Sequence, residues 1–334
     1  MQNVLIIGLG SIGQRHFRNL KSIKKKISFY AIRKKKVSPK LGSSNEVLSE
    51  KFKCAENGIR EIQLNEIKKY NIDTAFITNP TSLHLKTAYS MAKMGCNLFI
   101  EKPLSHNLND TKKLLDIVNL RKLNCEIGFQ TRYDDLLVKI KKIITSKKYG
   151  AIKKASITHR HYLPFHHKYE DYKKSYAGRK DLGGGVLLCF SHEIDYASYL
   201  FNEINQIIPK EISSDKNLNV NVETSVLFTL IYGKKKIPVS FNLDFLKKTP
   251  QRKCVIQFTN TKLVWNLNKG KIEIFGKNKT IIKSKFKTRN QIFLNEIKKV
   301  YTAFNNNKNS KNTLPNAIKN LKIINDIKKS FKKI

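Results

Sequence analysis

Short apolar runs alternate with stretches of helical period over the first third of the chain. The apolar runs, which predict buried strands, are residues 4–7, 27–32, 74–78 and 97–100. The helical stretches between and after them are residues 14–23, 64–70, 82–94 and 109–123. Strands that alternate with helices form a parallel sheet with right-handed crossovers. We therefore expect a parallel α/β domain over residues 1–125.

The pattern changes near residue 152, where strands are separated by turns rather than by helices. The predicted strands of this half are residues 155–161, 225–232, 237–243, 254–258, 262–266 and 271–275. Strands linked by turns favour an antiparallel or mixed sheet. Residues 290–334 return to a helical pattern with a break near Pro315. We expect residues 126–334 to form a second domain that ends in these helices.

A G-x-G-x-x-G turn joins the first predicted strand to the first predicted helix. In this context Gly8 allows a tight turn, Gly10 lets the backbone approach a pyrophosphate, and Gly13 lets the helix pack on the strand. The first helical residues, Ser11 and Ile12, offer free N–H groups to an anion. We expect a bound dinucleotide here, and a glycine-rich turn without a ligand is the alternative.

Composition narrows the class of protein. The 334 residues are 40% hydrophobic, which suffices for two modest cores, and no apolar run reaches the roughly 18 residues that cross a bilayer. The five cysteines are scattered singly, which suggests neither a disulfide framework nor a zinc site. Residues 1–13 do not resemble a signal peptide. We therefore expect a cytoplasmic protein without a metal.

The net charge of +40 raises the alternative of a nucleic-acid binder. The lysines, however, occur from Lys21 to Lys333 in short runs, without a basic tail, a zinc finger or an RNA-binding aromatic motif. We interpret them as a solvated surface and expect neither a specific nucleic-acid partner nor a membrane partner. The charge could attract an acidic substrate such as a sugar nucleotide.

Polar residues follow two of the predicted parallel strands, at the position where ligands bind in open α/β sheets. Asn79-Pro80-Thr81 and His84 come after the strand at residues 74–78, and Glu101-Lys102-Pro103 comes after the strand at residues 97–100. Taken alone, Asn79-Pro80 is equally typical of an ordinary turn before a helix. Lys102 alone is equally typical of a surface lysine.

Four motifs together carry a family resemblance. In chain order they are Gly8-Leu9-Gly10-Ser11-Ile12-Gly13, Asn79-Pro80-Thr81 with His84, Glu101-Lys102-Pro103, and Gly183-Gly184-Gly185 before His192-Glu193-Ile194-Asp195. With them the chain resembles the Gfo/Idh/MocA family of NAD(P)-dependent oxidoreductases along essentially its whole length. The resemblance implies an N-terminal Rossmann domain and a C-terminal α/β domain with a large, mostly antiparallel open sheet. It also implies a sugar, sugar nucleotide or cyclitol substrate and a homo-oligomer, a dimer or a tetramer.

The resemblance places Lys102 at the nicotinamide and the substrate hydroxyl. Interconversion of an alcohol and a ketone moves a hydride, which the cofactor handles, and a proton, which the protein must handle. The Lys102 ammonium group can polarise the carbonyl and exchange that proton. In the family the peptide between Lys102 and Pro103 is often cis. The residues after the strands that we expect at the cofactor, besides Lys102, are Asn79, Pro80, Thr81, His84 and Glu101.

The second candidate for proton handling is His192, on a predicted amphipathic helix with Asp195 on the same face. His192 can exchange protons with Lys102, and Asp195 can orient His192 or the substrate. A buried core histidine is the alternative. Family members often carry an aspartate three or four positions before this histidine, where this chain has Leu188 and Cys189. The proton-handling role therefore falls on Lys102 and His192.

Residues 159–167 carry four of the eight histidines, and tyrosines and Arg179 follow them. A metal site is the alternative here, but no cysteine or paired carboxylate completes a ligand set. Because the segment matches the family's substrate loop, we expect it to recognise a sugar. The residues that we expect to bind substrate, besides Lys102, His192 and Asp195, are Arg132, Tyr133, His161, Tyr176 and Arg179. Packing between the domains is the alternative for Arg132 and Tyr133.

Rossmann domains select their cofactor at the end of the second strand. This chain has Arg33-Lys34-Lys35-Lys36 there and no local acid. We therefore expect Arg33 to contact a 2′-phosphate, which favours NADP(H), with NAD(H) as the alternative.

The expected function is an NAD(P)-dependent oxidoreductase that interconverts a hydroxyl and a keto group. Residues 176–185 and 191–195 are most similar to family members of surface-glycan sugar synthesis. One alternative is a catabolic inositol or glucose dehydrogenase. Another is a cofactor-binding regulator without turnover, which the replaced aspartate permits.

Overall fold

The protein is described here from a computed structural model that covers residues 1–23, 26–34, 37–308 and 310–333. Its residues divide into two compact units. Unit 1 contains Met1–Gln130 and Asn290–Leu321, and unit 2 contains Thr131–Arg289 and Lys322–Ile334. Lys35 and Lys36, two members of the predicted cofactor-selecting run, lie outside the described residues.

Strands and helices alternate along unit 1, and strands dominate unit 2. The strands of unit 1 are β1 (Asn3–Ile7), β2 (Ser28–Ile32), β3 (Lys40–Leu41), β4 (Val47–Ser49), β5 (Ile59–Glu61), β6 (Thr74–Ile77), β7 (Asn97–Glu101) and β8 (Cys125–Gly128). The strands of unit 2 are β9 (Ile152–Arg160), β10 (Ile204–Ser213), β11 (Ser225–Tyr232), β12 (Ile237–Asp244), β13 (Gln251–Phe258), β14 (Lys262–Asn266), β15 (Lys271–Phe275) and β16 (Lys279–Lys283). The helices are α1 (Ser11–Lys21), α2 (His84–Lys93), α3 (Thr111–Leu120), α4 (Asp135–Thr145), α5 (Val186–Cys189), α6 (Ser191–Phe201), α7 (Arg289–Asn305) and α8 (Leu314–Ser330).

The core of unit 1 lies on both faces of a parallel six-stranded sheet of order β5-β2-β1-β6-β7-β8. Successive residues of a strand point to opposite faces. Leu5 therefore joins a cluster with side chains of α2 and α3, whereas Ile6 joins a cluster with side chains of α1 and α7. Strands buried on both faces need continuous apolar runs, which β1, β6 and β7 have. The predicted parallel Rossmann-type sheet is confirmed.

Unit 2 is built on an eight-stranded sheet of order β10-β11-β12-β9-β13-β14-β15-β16. Every neighbouring pair is antiparallel except β9 with β12, which is parallel. Alternate side chains such as Phe228, Phe241 and Trp265 are fully buried or nearly so. The ring of Tyr196 on α6 meets that of Trp265 with centres 5.3 Å apart. The predicted large, mostly antiparallel sheet is confirmed.

The C-terminal helices differ from the predicted division of the chain. We expected residues 126–334 together, whereas Asn290–Leu321 groups with unit 1. The reason is the apolar face of α7, because Ile297 and Val300 are buried in the same cluster as Phe17 of α1. Helix α8 begins in unit 1 and ends in unit 2. The break expected near Pro315 is the first turn of α8, where a missing N–H costs nothing.

The helix predicted over residues 64–70 is wrong. This segment contains only the 3₁₀ turn Leu64–Glu66. Asn71 then adopts a left-handed backbone conformation, with a φ of 47°, before β6 begins. Ile67 and Ile72 are both buried in the core of unit 1. The short connection therefore buries its apolar positions without forming a full helix.

Candidate active site

The glycine turn after β1 has the close packing that its motif predicts. Gly8 has a φ of 97°, in the left-handed region that favours glycine. A side chain at Gly13 would collide with the Gly8 carbonyl oxygen, so α1 approaches the turn only because residue 13 has none. A Cβ atom at Gly10, in contrast, would meet no described atom within 4 Å. The turn therefore leaves open space beside Gly10.

The start of α1 can hold an anion. Gly10 is the N-cap, no described side chain caps the helix, and the first turn contains no acidic residue. The first N–H groups of a helix have no partner inside it, so those of Ser11, Ile12 and Gly13 can serve a ligand. The positive end of the helix dipole adds to this preference for an anion. These features and the open space at Gly10 fit the pyrophosphate of a dinucleotide.

The segment after β6 is largely engaged within unit 1. Asn79 Nδ2 donates to Thr87 Oγ1 at 2.9 Å. Pro80 precedes the 3₁₀ turn Thr81–Leu83, whose first residue is buried. Asn79 Oδ1 is buried and has no hydrogen-bond partner among the described residues. A buried oxygen of this kind needs a donor, which a bound ligand could supply.

His84 joins the segments that follow β6 and β7. Its Nδ1 lies 2.9 Å from the Pro103 carbonyl oxygen, and its Nε2 lies 2.9 Å from the Asn79 carbonyl oxygen. Burial lowers the pKa of His84, whereas the two carbonyl groups favour its protonated ring. Only the protonated ring can donate to both oxygens. This predicted cofactor residue therefore also ties together two segments of the site.

Glu101 is held by His16, a residue that the sequence analysis did not identify. Glu101 Oε1 lies 2.6 Å from His16 Nε2 on α1, and both side chains are buried. The backbone N–H of Lys102 donates to Glu101 Oε2 at 3.1 Å. Glu101 thus connects α1 to the backbone of Lys102, which is half-buried and precedes a cis peptide to Pro103. The spacing of His16 from Gly13 on one helix is the signal that could have identified it.

A further buried carboxyl group, that of Glu296, interacts electrostatically with Glu101. Glu296 on α7 is fully buried, and neither of its oxygens has a hydrogen-bond partner among the described residues. Burial raises the pKa of Glu296 well above its ordinary value, and the charges of Glu101 and Glu126 raise it further. These surroundings therefore favour the neutral, protonated form of the Glu296 carboxyl group.

Arg33, which we expect to contact a 2′-phosphate, has two hydrogen-bond acceptors within unit 1. Its guanidinium group donates to the Phe52 carbonyl oxygen at 3.1 Å and pairs with Glu61 at 2.6 Å. Only 8% of the Arg33 side chain is exposed. The acid that is missing from the local sequence is therefore supplied by Glu61 of the neighbouring strand β5.

In unit 2, Arg132 and Asp195 bind each other. Arg132 donates to both carboxylate oxygens of Asp195, at 2.6 and 2.9 Å, and its guanidinium carbon lies 4.6 Å from the ring centre of Tyr199. Burial raises the pKa of Asp195, and Arg132 opposes this rise. Tyr133, also predicted at the substrate, is only 3% exposed. Arg132, rather than His192, is thus the described partner that fixes the Asp195 carboxylate.

His192 lies beside a buried charge network on α6. The fully buried Glu193 accepts a hydrogen bond from Arg252 Nε at 2.7 Å, and His159 Nδ1 lies 3.0 Å from the same oxygen. Burial opposes ionisation of Glu193, but Arg252 and His159 lower its pKa. Burial lowers the pKa of His159 to about 4, and its ring stacks on Phe190 at 3.7 Å. The network attaches the first turn of α6, and so His192, to β9 and β13.

The predicted substrate segment forms a cluster of aromatic rings in unit 2. His167 stacks on His166 and on Tyr169, with ring centres 4.4 and 5.3 Å apart. The half-buried Tyr176 ring lies 6.4 Å from His167, and the His161 ring lies 5.6 Å from His166. Burial lowers the pKa of His161, and the charges of neighbouring groups lower it further. The cluster offers several ring faces of the kind that bind sugars.

Arg179 lies outside this cluster. Its side chain is 44% exposed and forms an ion pair with Asp181. Among the described residues, His, Cys, Asp and Glu side chains form no group of three or more that could hold a metal ion. None of the helices in the described ranges has the length and apolar character required to cross a membrane.

Two family models match the chain. The model described as the oxidoreductase family with an NAD-binding Rossmann fold matches residues 2–129. The model of the GFO/IDH/MocA C-terminal domain matches residues 137–281. Together the two matches cover most of the chain and both of its large sheets.

Two curated inositol dehydrogenases are similar in sequence. The chain is 28% identical to myo-inositol 2-dehydrogenase of Thermotoga maritima over 205 residues, which cover 59% of this chain and 54% of that protein. It is 25% identical to scyllo-inositol 2-dehydrogenase (NAD(+)) of Bacillus subtilis over 201 residues, which cover 58% and 52%. The chain thus spans about half the length of the curated relatives it matches.

Solved structures agree over nearly the whole chain. Levoglucosan dehydrogenase in complex with NADH and levoglucosan superposes with a TM-score of 0.80 at 17% identity, covering 99% of this chain and 97% of that one. UDP-N-acetylglucosamine 3-dehydrogenase of Acidithiobacillus ferrooxidans gives a TM-score of 0.76 at 14% identity, with coverages of 97% and 96%. At these identities the comparison establishes the fold.

Proposed function

Because the chain belongs to the Gfo/Idh/MocA family of oxidoreductases, we propose that it interconverts a hydroxyl and a keto group on a sugar, sugar nucleotide or cyclitol with a nicotinamide dinucleotide. The family membership confirms the resemblance seen in the sequence. The substrate class is supported by relatives whose names describe inositol, levoglucosan and a nucleotide-linked sugar as substrates. A role in surface-glycan synthesis remains a prediction from residues 176–185 and 191–195.

One observation carries this proposal: the glycine turn and Lys102 follow strands at the same edge of one sheet. β1, β6 and β7 are neighbours and parallel, so their carboxyl ends share an edge. Two strand spacings of about 4.8 Å separate β1 from β7, which puts the turn and Lys102 about 10 Å apart. A dinucleotide held at the turn can therefore extend along this edge toward Lys102.

The residues of unit 1 have separate roles in the proposed reaction. The dinucleotide, when bound, supplies or accepts the hydride. The N–H groups of Ser11 and Ile12 hold its pyrophosphate, and the Lys102 ammonium group holds or releases the proton at the substrate oxygen. Glu101 and His16 fix the backbone from which Lys102 extends.

Unit 2 supplies the remaining candidate residues of the proposal. His192 is kept as the second proton-handling residue, because Glu193 anchors its helix and Arg132 fixes Asp195. The ring cluster around His167 and Tyr176 suits the faces of a sugar. The expected homo-oligomer is supported by apolar side chains exposed on the two outer strands, such as Ile212 and Ile281. The cytoplasmic location is supported by the five buried cysteines, which form no disulfide with one another.

The deciding experiment compares Lys102→Met with Lys86→Met, which removes the same charge from an exposed position on α2. Lys102→Met should reduce the pre-steady-state rate of hydride transfer by roughly 10²–10⁴ fold, the usual contribution of a positioned acid or base. Its dinucleotide dissociation constant should change far less, because the phosphates bind at the glycine turn. Lys86→Met should leave both quantities unchanged.

His192→Asn should cause a smaller loss of rate and a shifted pH profile if His192 relays a proton. If His192 is only a core residue, the variant loses stability instead. Wild-type hydride transfer in Lys102→Met, with a panel of keto-sugars and nucleotide-linked sugars, would refute the proposed mechanism.

A further inference from the structure

An ion pair marks the end of β2, where Rossmann domains distinguish their cofactors. β2 and β5 are adjacent and parallel, with Ala31 opposite Glu61, so Glu61 ends its strand beside the end of β2. Arg33 follows β2, and its Nη2 atom donates to Glu61 Oε1 at 2.6 Å. Its Nη1 atom donates to the Phe52 carbonyl oxygen at 3.1 Å. The guanidinium group therefore already has two acceptors from its own unit.

The two partners differ in exposure. The Arg33 side chain is 8% exposed, whereas the Glu61 side chain is 32% exposed. The hydrogen bond to Glu61 raises the pKa of Arg33, which keeps the cation in the pair. The carboxylate is thus the more accessible member, and the cation is the more enclosed one.

The ion pair of Arg33 and Glu61 should interact differently with NADP(H) and with NAD(H). The 2′-phosphate of NADP(H) needs a cation with free donors, and a carboxylate beside it is repulsive. A phosphate at Arg33 would have to compete with Glu61 for the guanidinium group and would lie beside a carboxylate of like charge. The ribose hydroxyls of NAD(H), in contrast, can donate to a carboxylate at this end of the sheet. The exposed Lys34 is the next residue, and its mobile single charge cannot reproduce the bidentate geometry of arginine.

We propose that Glu61 determines the cofactor, holding Arg33 away from a 2′-phosphate and so selecting NAD(H) over NADP(H). This proposal rests on the dinucleotide of the proposed function and names its form. It replaces the sequence-based preference for NADP(H), which depended on a freely presented Arg33. The selecting acid comes from β5, about 30 residues after the second strand, so inspection of the residues after that strand does not find it.

The test measures binding rather than turnover. NADH and NADPH are titrated against the wild type, Glu61→Gln, Arg33→Gln and Glu56→Gln, with the fluorescence of the reduced nicotinamide as the signal. Glu56 is a matched control, because it is an exposed carboxylate of unit 1 that pairs with Lys53. The wild type should bind NADH more tightly than NADPH. Glu61→Gln should shift the ratio of the two dissociation constants toward NADPH by about tenfold or more, because it removes a repulsion and frees Arg33.

Arg33→Gln is the second variant, because it removes the Arg33 cation and keeps the Glu61 carboxylate. It should retain NADH binding and weaken NADPH binding further, and Glu56→Gln should leave the ratio unchanged. A wild type that prefers NADPH, or an unchanged ratio in Glu61→Gln, overturns the role of Glu61 and leaves the proposed function intact. If neither dinucleotide binds the wild type, the proposed function fails and this proposal fails with it.

Discussion

Glu296→Gln should stabilise unit 1 at neutral pH. The Glu296 side chain is fully buried, and neither of its carboxyl oxygens has a hydrogen-bond partner among the residues that the structure describes. Burial is the main cause of its raised pKa, and Glu101 and Glu126 add to it. A glutamine has the same shape as the protonated acid and carries no titrating proton. The substitution therefore removes the cost of keeping a proton on Glu296 above its ordinary pKa.

The direction in which the stability of the wild type changes with pH follows from proton binding to Glu296. Between the ordinary pKa of 4.5 and the raised pKa of the folded state, the folded form binds more protons than the unfolded form. The free energy of unfolding of the wild type therefore falls as pH rises through this range. Each pH unit within this range lowers the free energy of unfolding of the wild type by about 1.4 kcal/mol. The gain in Glu296→Gln should therefore increase with pH by up to that amount per pH unit, and it should largely disappear at pH 4.5.

The assay is urea unfolding of the wild type and Glu296→Gln at pH 4.5, 6 and 7.5. Far-ultraviolet circular dichroism reports both units, whereas the fluorescence of Trp265, the single tryptophan, reports unit 2 alone. The gain in the free energy of unfolding should appear in the unfolding of unit 1, which circular dichroism detects and the fluorescence of Trp265 does not. Glu56→Gln is the control, since its carboxylate is 62% exposed and should change little at any pH.

Two results would refute this reasoning. A gain of equal size at every pH would mean that the charge of Glu296 is not its cause. A loss of stability at pH 7.5 would mean that the ionised carboxylate makes favourable interactions in the folded state.

Two further predictions concern the glycine turn and the network on α6. Gly10→Val should weaken dinucleotide binding by about tenfold or more, because the side chain fills the space that the ligand needs. The midpoint of thermal unfolding should stay nearly unchanged. Equal dissociation constants of the wild type and the variant would contradict the assignment of this turn. Arg252→Met should lower the free energy of unfolding of unit 2 by about 3–5 kcal/mol, because it leaves the buried Glu193 with its main cation removed. The fluorescence of Trp265 measures that change, and an unaltered urea midpoint would show that Glu193 does not depend on Arg252.

The strands were predictable where the local pattern alone determines them. The predicted strand at residues 225–232 has the bounds of β11, and residues 262–266 and 271–275 have those of β14 and β15. These strands have one buried face, which gives a readable alternation of apolar and polar positions. Strand β10 was not predicted, because it lies at the sheet edge, contains Pro209 and is mostly exposed. Its pairing partner β11, rather than its own pattern, makes it a strand.

In the candidate site, too, only features that a local sequence pattern determines could be predicted. The glycine turn could be identified because Gly8, Gly10 and Gly13 are close in sequence and their roles depend on the local backbone. The pairing of His16 with Glu101 joins residues 85 positions apart, and Arg33 meets Glu61 across 28 positions. Neither pairing leaves a local pattern, so only the folded structure reveals which residues meet. The sequence therefore predicts a binding place for a dinucleotide and does not predict which side chains already pair with each other.

The buried cysteines make the two units chemically distinguishable. Cys54, Cys96 and Cys125 lie in unit 1, and Cys189 and Cys254 lie in unit 2. Burial raises the pKa of Cys96 to about 11 and that of Cys254 to about 12, and the thiolate is the form that reacts with alkylating reagents. A reagent added to the native protein therefore modifies a thiol only while its surroundings are open. The order in which the five peptides gain mass would record which unit opens first, without any engineered label.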